Sequence, residues 1–256
     1  MSDYLTPVVF VHGVGLDHTM WDDVVSLLPD FRVVCYDMIG HGVAAASEGP
    51  YRLADFVDQL DVLAETDGLA QFDLVGFSMG ALVALGYAAA HPGRVRRMVL
   101  LNSVYDRTLA EREAVIERVA DVRTGGYADS IEQAVERWFS PQFTAAHAEV
   151  VHAVRDRLHR NDPRAYADAY EVFATADAEL VHLAPCIHVP TLVVTGSDDT
   201  RSTPAMTLLL ADALPAGAAH VIPGARHLTP LECPQTVAAL IESLLSEVDV
   251  EHETTA

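Results

Sequence analysis

Six short apolar runs recur along the chain with helix-length stretches between them, and this alternation constrains the fold more than any single residue does. The runs are VVFVHG (8–13), FRVVCYD (31–37), FDLVGF (72–77), VRRMVLLN (95–102), TLVVTG (191–196) and AHVIPG (219–224). Most are continuous rather than alternating, as strands covered by helices on both faces should be. Strands that alternate with helical patterns predict βαβ units and a parallel sheet. The spacing predicts helices over 18–28, 52–66, 79–90, 203–213 and 232–246. Asp17, Ser202 and Glu232 offer polar starts, and Pro29 and Gly93 stand near helix ends.

One interval breaks the rhythm. From Val104 to Pro185 no strand run occurs, only amphipathic stretches such as LAEREAVIERVADV, SIEQAVERWF and AHAEVVHAVRDRLH. Structureless loops rarely exceed about 12–15 residues, so this interval reads as a helical unit inserted between the fourth and fifth strands. The expected division is a core of 1–103 and 186–256 carrying a helical cap of 104–185. There is no internal repeat, and the acidic tail EVDVEHETTA reads as frayed and without chemistry.

Composition narrows the function classes. A chain of 256 residues, half apolar, can bury one large core. Its formal net charge is −21 with only 16 Lys and Arg. A surface so acidic repels phosphate backbones and anionic membranes, so neither nucleic acid nor membrane is an expected partner. No apolar run reaches the length of a membrane span, and the start MSDYLTPVVFVHG lacks the basic region of a signal peptide. Three cysteines, Cys35, Cys186 and Cys233, have no metal-type spacing and read as free thiols in a reducing compartment. The expectation is a cytoplasmic protein.

The chemistry begins at Gly76-Phe77-Ser78-Met79-Gly80, where a strand passes straight into a helix. Such a turn is sharp and strained, and its flanking positions must be small because strand and helix backbones come close. It lifts the Ser78 hydroxyl above the carboxyl ends of the strands. A serine hydroxyl needs a base to take its proton, and the base needs a third group to orient it. Among 12 histidines, His227 lies just past the last strand in VIPGARHLTPLECP, at the same sheet edge as Ser78. Two carboxylates, Asp198 and Asp199, close the fifth strand in TLVVTGSDDTRSTP. Asp199, third after the glycine, is the expected orienter, with Asp198 the alternative. The amides of Val14, in the loop after the first strand, and of Met79 are the expected oxyanion donors. No GxGxxG, Walker A or HExxH pattern occurs, so no nucleotide, metal or other cofactor is implied.

Together VHGVG, YDMIGHG, GFSMGA, GSDDTRSTP and GARHLTPLECP resemble the α/β-hydrolase fold superfamily over about residues 7 to 247. Within it, ERWFSPQF, NDPRAYADAY and the TPLE after His227 resemble the 3-oxoadipate enol-lactonase and esterase group. The resemblance implies a Ser78–His227–Asp199 triad with Val14 and Met79 as oxyanion amides. Two features depart from the family pattern. Only about seven residues precede the first strand, so a six-stranded, all-parallel sheet in the order 2-1-3-4-5-6 is expected in place of one opened by a hairpin. Gly40-His41-Gly42-Val43-Ala44 replaces the usual GHGxS. The expected reaction is hydrolysis of an ester or lactone of a small acyl substrate. Carbon–carbon bond hydrolysis and cofactor-free perhydrolysis are alternatives on the same triad, and a non-catalytic binder is the alternative of another class. Leu228 stands where carbon–carbon hydrolases often place Trp. Trp138, Phe139 and Phe143 are the expected cap wall of the pocket. Arg137 is either a partner for a substrate carboxylate or a solvated helix arginine.

Overall fold

A computed structural model of the chain describes residues 6–246; the acidic tail at 247–256 lies outside the described residues. Six strands, β1 (Val8–Val11), β2 (Val33–Tyr36), β3 (Phe72–Phe77), β4 (Val95–Leu101), β5 (Thr191–Gly196) and β6 (Gly217–Ile222), form one sheet in the order β2-β1-β3-β4-β5-β6. Every neighbouring pair is parallel. The strands are those expected from the apolar runs, and their order is the one the family resemblance implied. β1 and β3, at the centre, are buried at every position, whereas edge strand β6 is largely exposed.

Three helices precede β4: α1 (Asp22–Ser26), α2 (Leu53–Thr66) and α3 (Met79–Ala90). The helix expected at 18–28 is broken into a 3₁₀ turn, His18–Trp21, followed by α1. Asp17 caps the turn by accepting from Thr19 N at 3.1 Å, and Leu27 and Leu28 leave the helix in a tight turn ahead of Pro29. Between β4 and β5 only helices occur: α4 (Leu109–Asp121), α5 (Tyr127–Trp138), α6 (Pro141–Ala146), α7 (Ala148–His159), α8 (Pro163–Thr175) and α9 (Asp177–Leu180), with a 3₁₀ turn at Ala184–Cys186. A kinked turn at Val122–Gly126 joins α4 to α5, and Gly125 takes φ 110° there. After β5 come α10 (Pro204–Ala213), α11 (Thr229–Glu232) and α12 (Pro234–Leu245). No helix among the described residues is long and apolar enough to cross a membrane.

The central helix α3 is buried on nearly all sides, from Met79 through Ala88. A helix apolar all round belongs in an interior rather than on a surface. It therefore anchors the sheet's middle, and its first residues open at the carboxyl edge of β3. Trp21 packs edge-on against Phe10 and Phe77, with ring centroids 5.0 and 6.4 Å apart, and fixes the β1 side of that edge.

Candidate active site

Backbone strain marks the junction of β3 and α3. Ser78 holds φ 54° and ψ −112°, a conformation that costs a non-glycine residue roughly 1–3 kcal/mol and persists only where the surroundings impose it. Those surroundings are two glycine contacts. A Cβ on Gly76 would strike the Gly80 carbonyl, and one on Gly80 would strike the carbonyls of Val11 and His12. Strand, helix and the exit of β1 meet at that point, which is why the serine has a glycine two residues away on each side.

His227, on the loop between β6 and α11, reaches across to the serine: its Nε2 lies 3.1 Å from Ser78 Oγ. Its Nδ1 lies 2.7 Å from Asp199 Oδ2. Since a carboxylate can only accept, the proton sits on Nδ1, and Nε2 is left to accept from the serine hydroxyl. Both oxygens of Asp199 are satisfied. Oδ2 also accepts from Asn102 Nδ2 at 3.0 Å, and Oδ1 accepts the amides of Arg201 and Ser202 at 2.9 and 3.0 Å. Burial pushes the Asp199 pKa up, but His227, the Arg201 amide and Asn102 outweigh it and hold the carboxyl below its ordinary value. Asp198 is exposed and accepts from Ser197 instead. Of the two carboxylates at the end of β5, the structure brings Asp199 to the histidine.

The amides of Val14 and Met79 donate to no other group among the described residues. Met79 opens α3, where the helix dipole adds positive potential. Gly13, beside Val14, lies so close to the elbow that a side chain there would collide with the Phe77 ring and crowd the Ser78 Cβ. The β1 exit is thus pressed against the elbow. His12 holds that exit in place, with Nε2 accepting from Met38 N at 2.9 Å and Nδ1 2.8 Å from the Gly13 carbonyl. Burial drives the His12 pKa down to about 4, so its ring is neutral and can accept.

Above the serine lies a cavity of about 850 Å³, counting its opening to solvent. Core residues Val14, Ser78, Asp199 and His227 form its floor, and α4, α5 and α8 supply Val115, Trp138, Tyr170 and Phe173. Trp138 is the one of the three expected aromatic residues that lines it. Phe139 follows the end of α5 in extended backbone, and its ring stacks on Phe143 at 5.3 Å, away from the cavity.

Four arginines line the cavity in a chain with 37 acidic residues: Arg107 is paired with Asp177 at 2.7 Å, and the other three are Arg118, Arg137 and Arg201. None of the three forms an ion pair among the described residues. Arg118 Nε donates to the Tyr170 hydroxyl at 3.2 Å. The acidic side chain at the rim, Glu111, turns back to Thr108 at 2.8 Å. Burial first, and then the guanidinium groups of Arg118 and Arg201, hold the Arg137 pKa below its ordinary value. The cluster is cationic, partly desolvated and short of carboxylate.

The model of the alpha/beta hydrolase fold family matches residues 6–234. The chain belongs to this family. The α/β-hydrolase is 35% identical to (E)-2-((N-methylformamido)methylene)succinate hydrolase of Acinetobacter baylyi, over 93% of this chain and 90% of that protein. It is 29% identical to 3-oxoadipate enol-lactonase 2 of the same organism, over 93% and 88% of the two chains. The crystal structure of the enol-lactonase from Burkholderia xenovorans LB400 superposes with a TM-score of 0.87 at 30% identity, covering 94% of this chain and 92% of that one.

Sequence reading missed the residues that brace the α/β-hydrolase site from behind. Asn102, at the end of β4 with φ 50°, donates to Asp199 and to Thr195 and accepts from Thr229 Oγ1 at 2.5 Å. A polar residue ending the apolar run VRRMVLLN, and a threonine two places after His227, were the available signals. Neither signal says that the two side chains meet.

Proposed function

We propose that this α/β-hydrolase cleaves the ester or lactone bond of a small acyl substrate that carries a carboxylate. The observation that carries the reading is the unbroken contact from Asp199 through His227 to Ser78, beneath a cavity. His227 Nε2 takes the Ser78 proton as Oγ attacks the carbonyl carbon. The negative charge on the carbonyl oxygen falls to the amides of Val14 and Met79. Collapse breaks the carbon–oxygen bond, and His227 returns the proton to the leaving oxygen; from a lactone, that alcohol stays tethered to the acyl group. Water, deprotonated by the same imidazole, then releases the acid and restores Ser78.

Helices α4 to α9 act in this reading as a cap, with Trp138 as wall. The unpaired arginines favour an anionic substrate, since guanidinium groups recognise carboxylates through paired N–H donors. The names of the similar proteins, a succinate derivative's hydrolase and an enol-lactonase, support the same substrate class.

A fluorophosphonate probe should label Ser78. Ser78→Ala should abolish labelling and lower kcat on any hydrolysed ester by at least about 10³-fold. Among esters of matched length, carboxylate-bearing half-esters should be preferred to neutral ones, and Arg137→Gln should erase the preference. Clean non-labelling of the wild-type protein would overturn the assignment of the nucleophile.

A further inference from the structure

The loop that carries His227 hangs between two supports. On the core side, Asp198 N donates to the Ala225 carbonyl at 3.0 Å and Thr229 reaches Asn102. On the other side the supports come from the inserted helices. The Trp138 carbonyl accepts the amides of both His227 and Leu228, at 3.1 and 3.2 Å. The Arg226 guanidinium donates to the carbonyls of Glu136 and Phe139, at 2.9 and 3.0 Å. Glu232 joins the two parts with one carboxylate: Oε2 accepts Arg226 N at 2.6 Å, and Oε1 accepts Ser140 N at 2.5 Å.

The chemistry of that bridge is specific. Arg226 immediately precedes the histidine, and Ser140 caps α6 by accepting from Phe143 N at 3.2 Å. Glu232 therefore ties the histidine's own backbone to the junction of α5 and α6. The two amides face different oxygens, so turning either oxygen into an NH2 group leaves one amide facing a donor. The distance to be protected is short of slack. A general base works at about 2.6–3.2 Å, and His227 already stands 3.1 Å from Ser78 Oγ. A misplacement of about 1 Å can cost on the order of 10²-fold in rate.

We propose that Glu232 is a positioning residue, a two-armed clamp through which the placement of the inserted helices sets the position of the His227 imidazole over Ser78. The inserted helices are then half of the histidine's mount as well as a cover for the cavity. The kinetic consequence rests on the proposed role of His227; the placement of the ring does not.

The experiment compares full-length wild type with Glu232→Gln, which keeps the size but loses one acceptor. Its first readout is independent of turnover: the NMR signal of the His227 Nδ1 proton bonded to Asp199, and its exchange with solvent. In the variant that proton should move upfield and exchange at least about tenfold faster. Fluorophosphonate labelling and ester kcat should fall by about 10- to 100-fold, with KM changed by less than about threefold. Ser140→Pro removes the other amide from the clamp without touching Glu232, and the Ser140 φ of −66° admits proline. It should act in the same direction, and the double variant should be no worse than the more impaired single one. Ser140→Ala, which loses only the helix cap, should leave the proton signal unmoved. An unaltered Nδ1 proton in folded Glu232→Gln, or in Ser140→Pro should the first variant not fold, overturns the clamp. So does a rate loss that vanishes when the proteins are compared equally far below their melting temperatures. Wild-type protein that neither labels nor hydrolyses would refute the proposed function, and the proton signal would still decide the clamp.

Discussion

Two adjacent aspartates with the same chemistry have opposite surroundings. Asp199 is buried and accepts four hydrogen bonds, from His227, Asn102 and the amides of Arg201 and Ser202. Asp198 sits in solvent with Ser197. Asp199→Asn should then lower kcat by about 10³- to 10⁴-fold, because an amide favours the wrong imidazole tautomer. Asp198→Asn should stay within about twofold of wild type. Steady-state rates on one ester settle the contrast. That Ser78, His227 and Asp199 come together was legible because each lies where an apolar run stops, and strand ends fix where a side chain can go. Asn102 was not, since its role arises from a left-handed backbone and from contacts to residues about a hundred positions away. Asn102→Asp tests that role. A second carboxylate beside Asp199 opposes its ionisation, so the acid limb of the pH–rate profile should move up by about one unit or more. Aspartate tolerates the positive φ, so the shift reports charge rather than collapse.

At the scale of elements, the elbow illustrates how close packing writes itself into sequence. Glycines at 76 and 80 are demanded by carbonyl groups, which cannot move aside as a flexible side chain would. Gly80→Ala should destabilise the fold by about 3 kcal/mol. That corresponds to a fall in melting temperature of about 6–12 °C in a chain of this size, measurable by calorimetry. The six strands were equally legible as continuous apolar runs of strand length, whereas their order came from the family resemblance. The helices between β4 and β5 announce themselves through amphipathic patterns, yet their mutual packing does not. Thus Phe139 and Phe143, adjacent in pattern to Trp138, turn to stack on each other while Trp138 faces the cavity. Periodicity says which face of a helix is apolar; at a helix end, where extended backbone takes over, it no longer says where a ring points.

For the molecule as a whole, two buried imidazoles couple stability to acid. Burial lowers the His12 pKa to about 4 and, with the help of His12 itself, the His41 pKa to about 3. Both bind a proton more readily in the unfolded chain, near the ordinary value of about 6.5. Above that value they contribute nothing to pH dependence. Below it, the unfolded state takes up protons that the folded state refuses, so stability must fall as the pH drops from about 6.5 toward 4. His18 works the other way: its hydrogen bond to Asp37 raises its pKa, and it contributes stability below the ordinary value that is lost as the pH rises through the raised one. It is only lightly buried, so its contribution is screened by solvent. The share of these histidines in the proton uptake on unfolding near pH 5 should therefore lie between about one and two protons, a slope on the order of 1–3 kcal/mol per pH unit. Urea midpoints at successive pH values measure it, and a flat profile over this window would contradict the buried, neutral state of the pair. The same protonation reaches the active site. His12 accepts from Met38 N while holding the loop of Gly13 and Val14; a proton on Nε2 turns that acceptor into a donor facing an N–H. If the proposed ester hydrolysis holds, its loss in acid should thus exceed what titration of the Ser78–His227–Asp199 group alone would give. His12→Asn, whose amide oxygen can accept at every pH, should reduce the excess even if it lowers the rate at neutral pH.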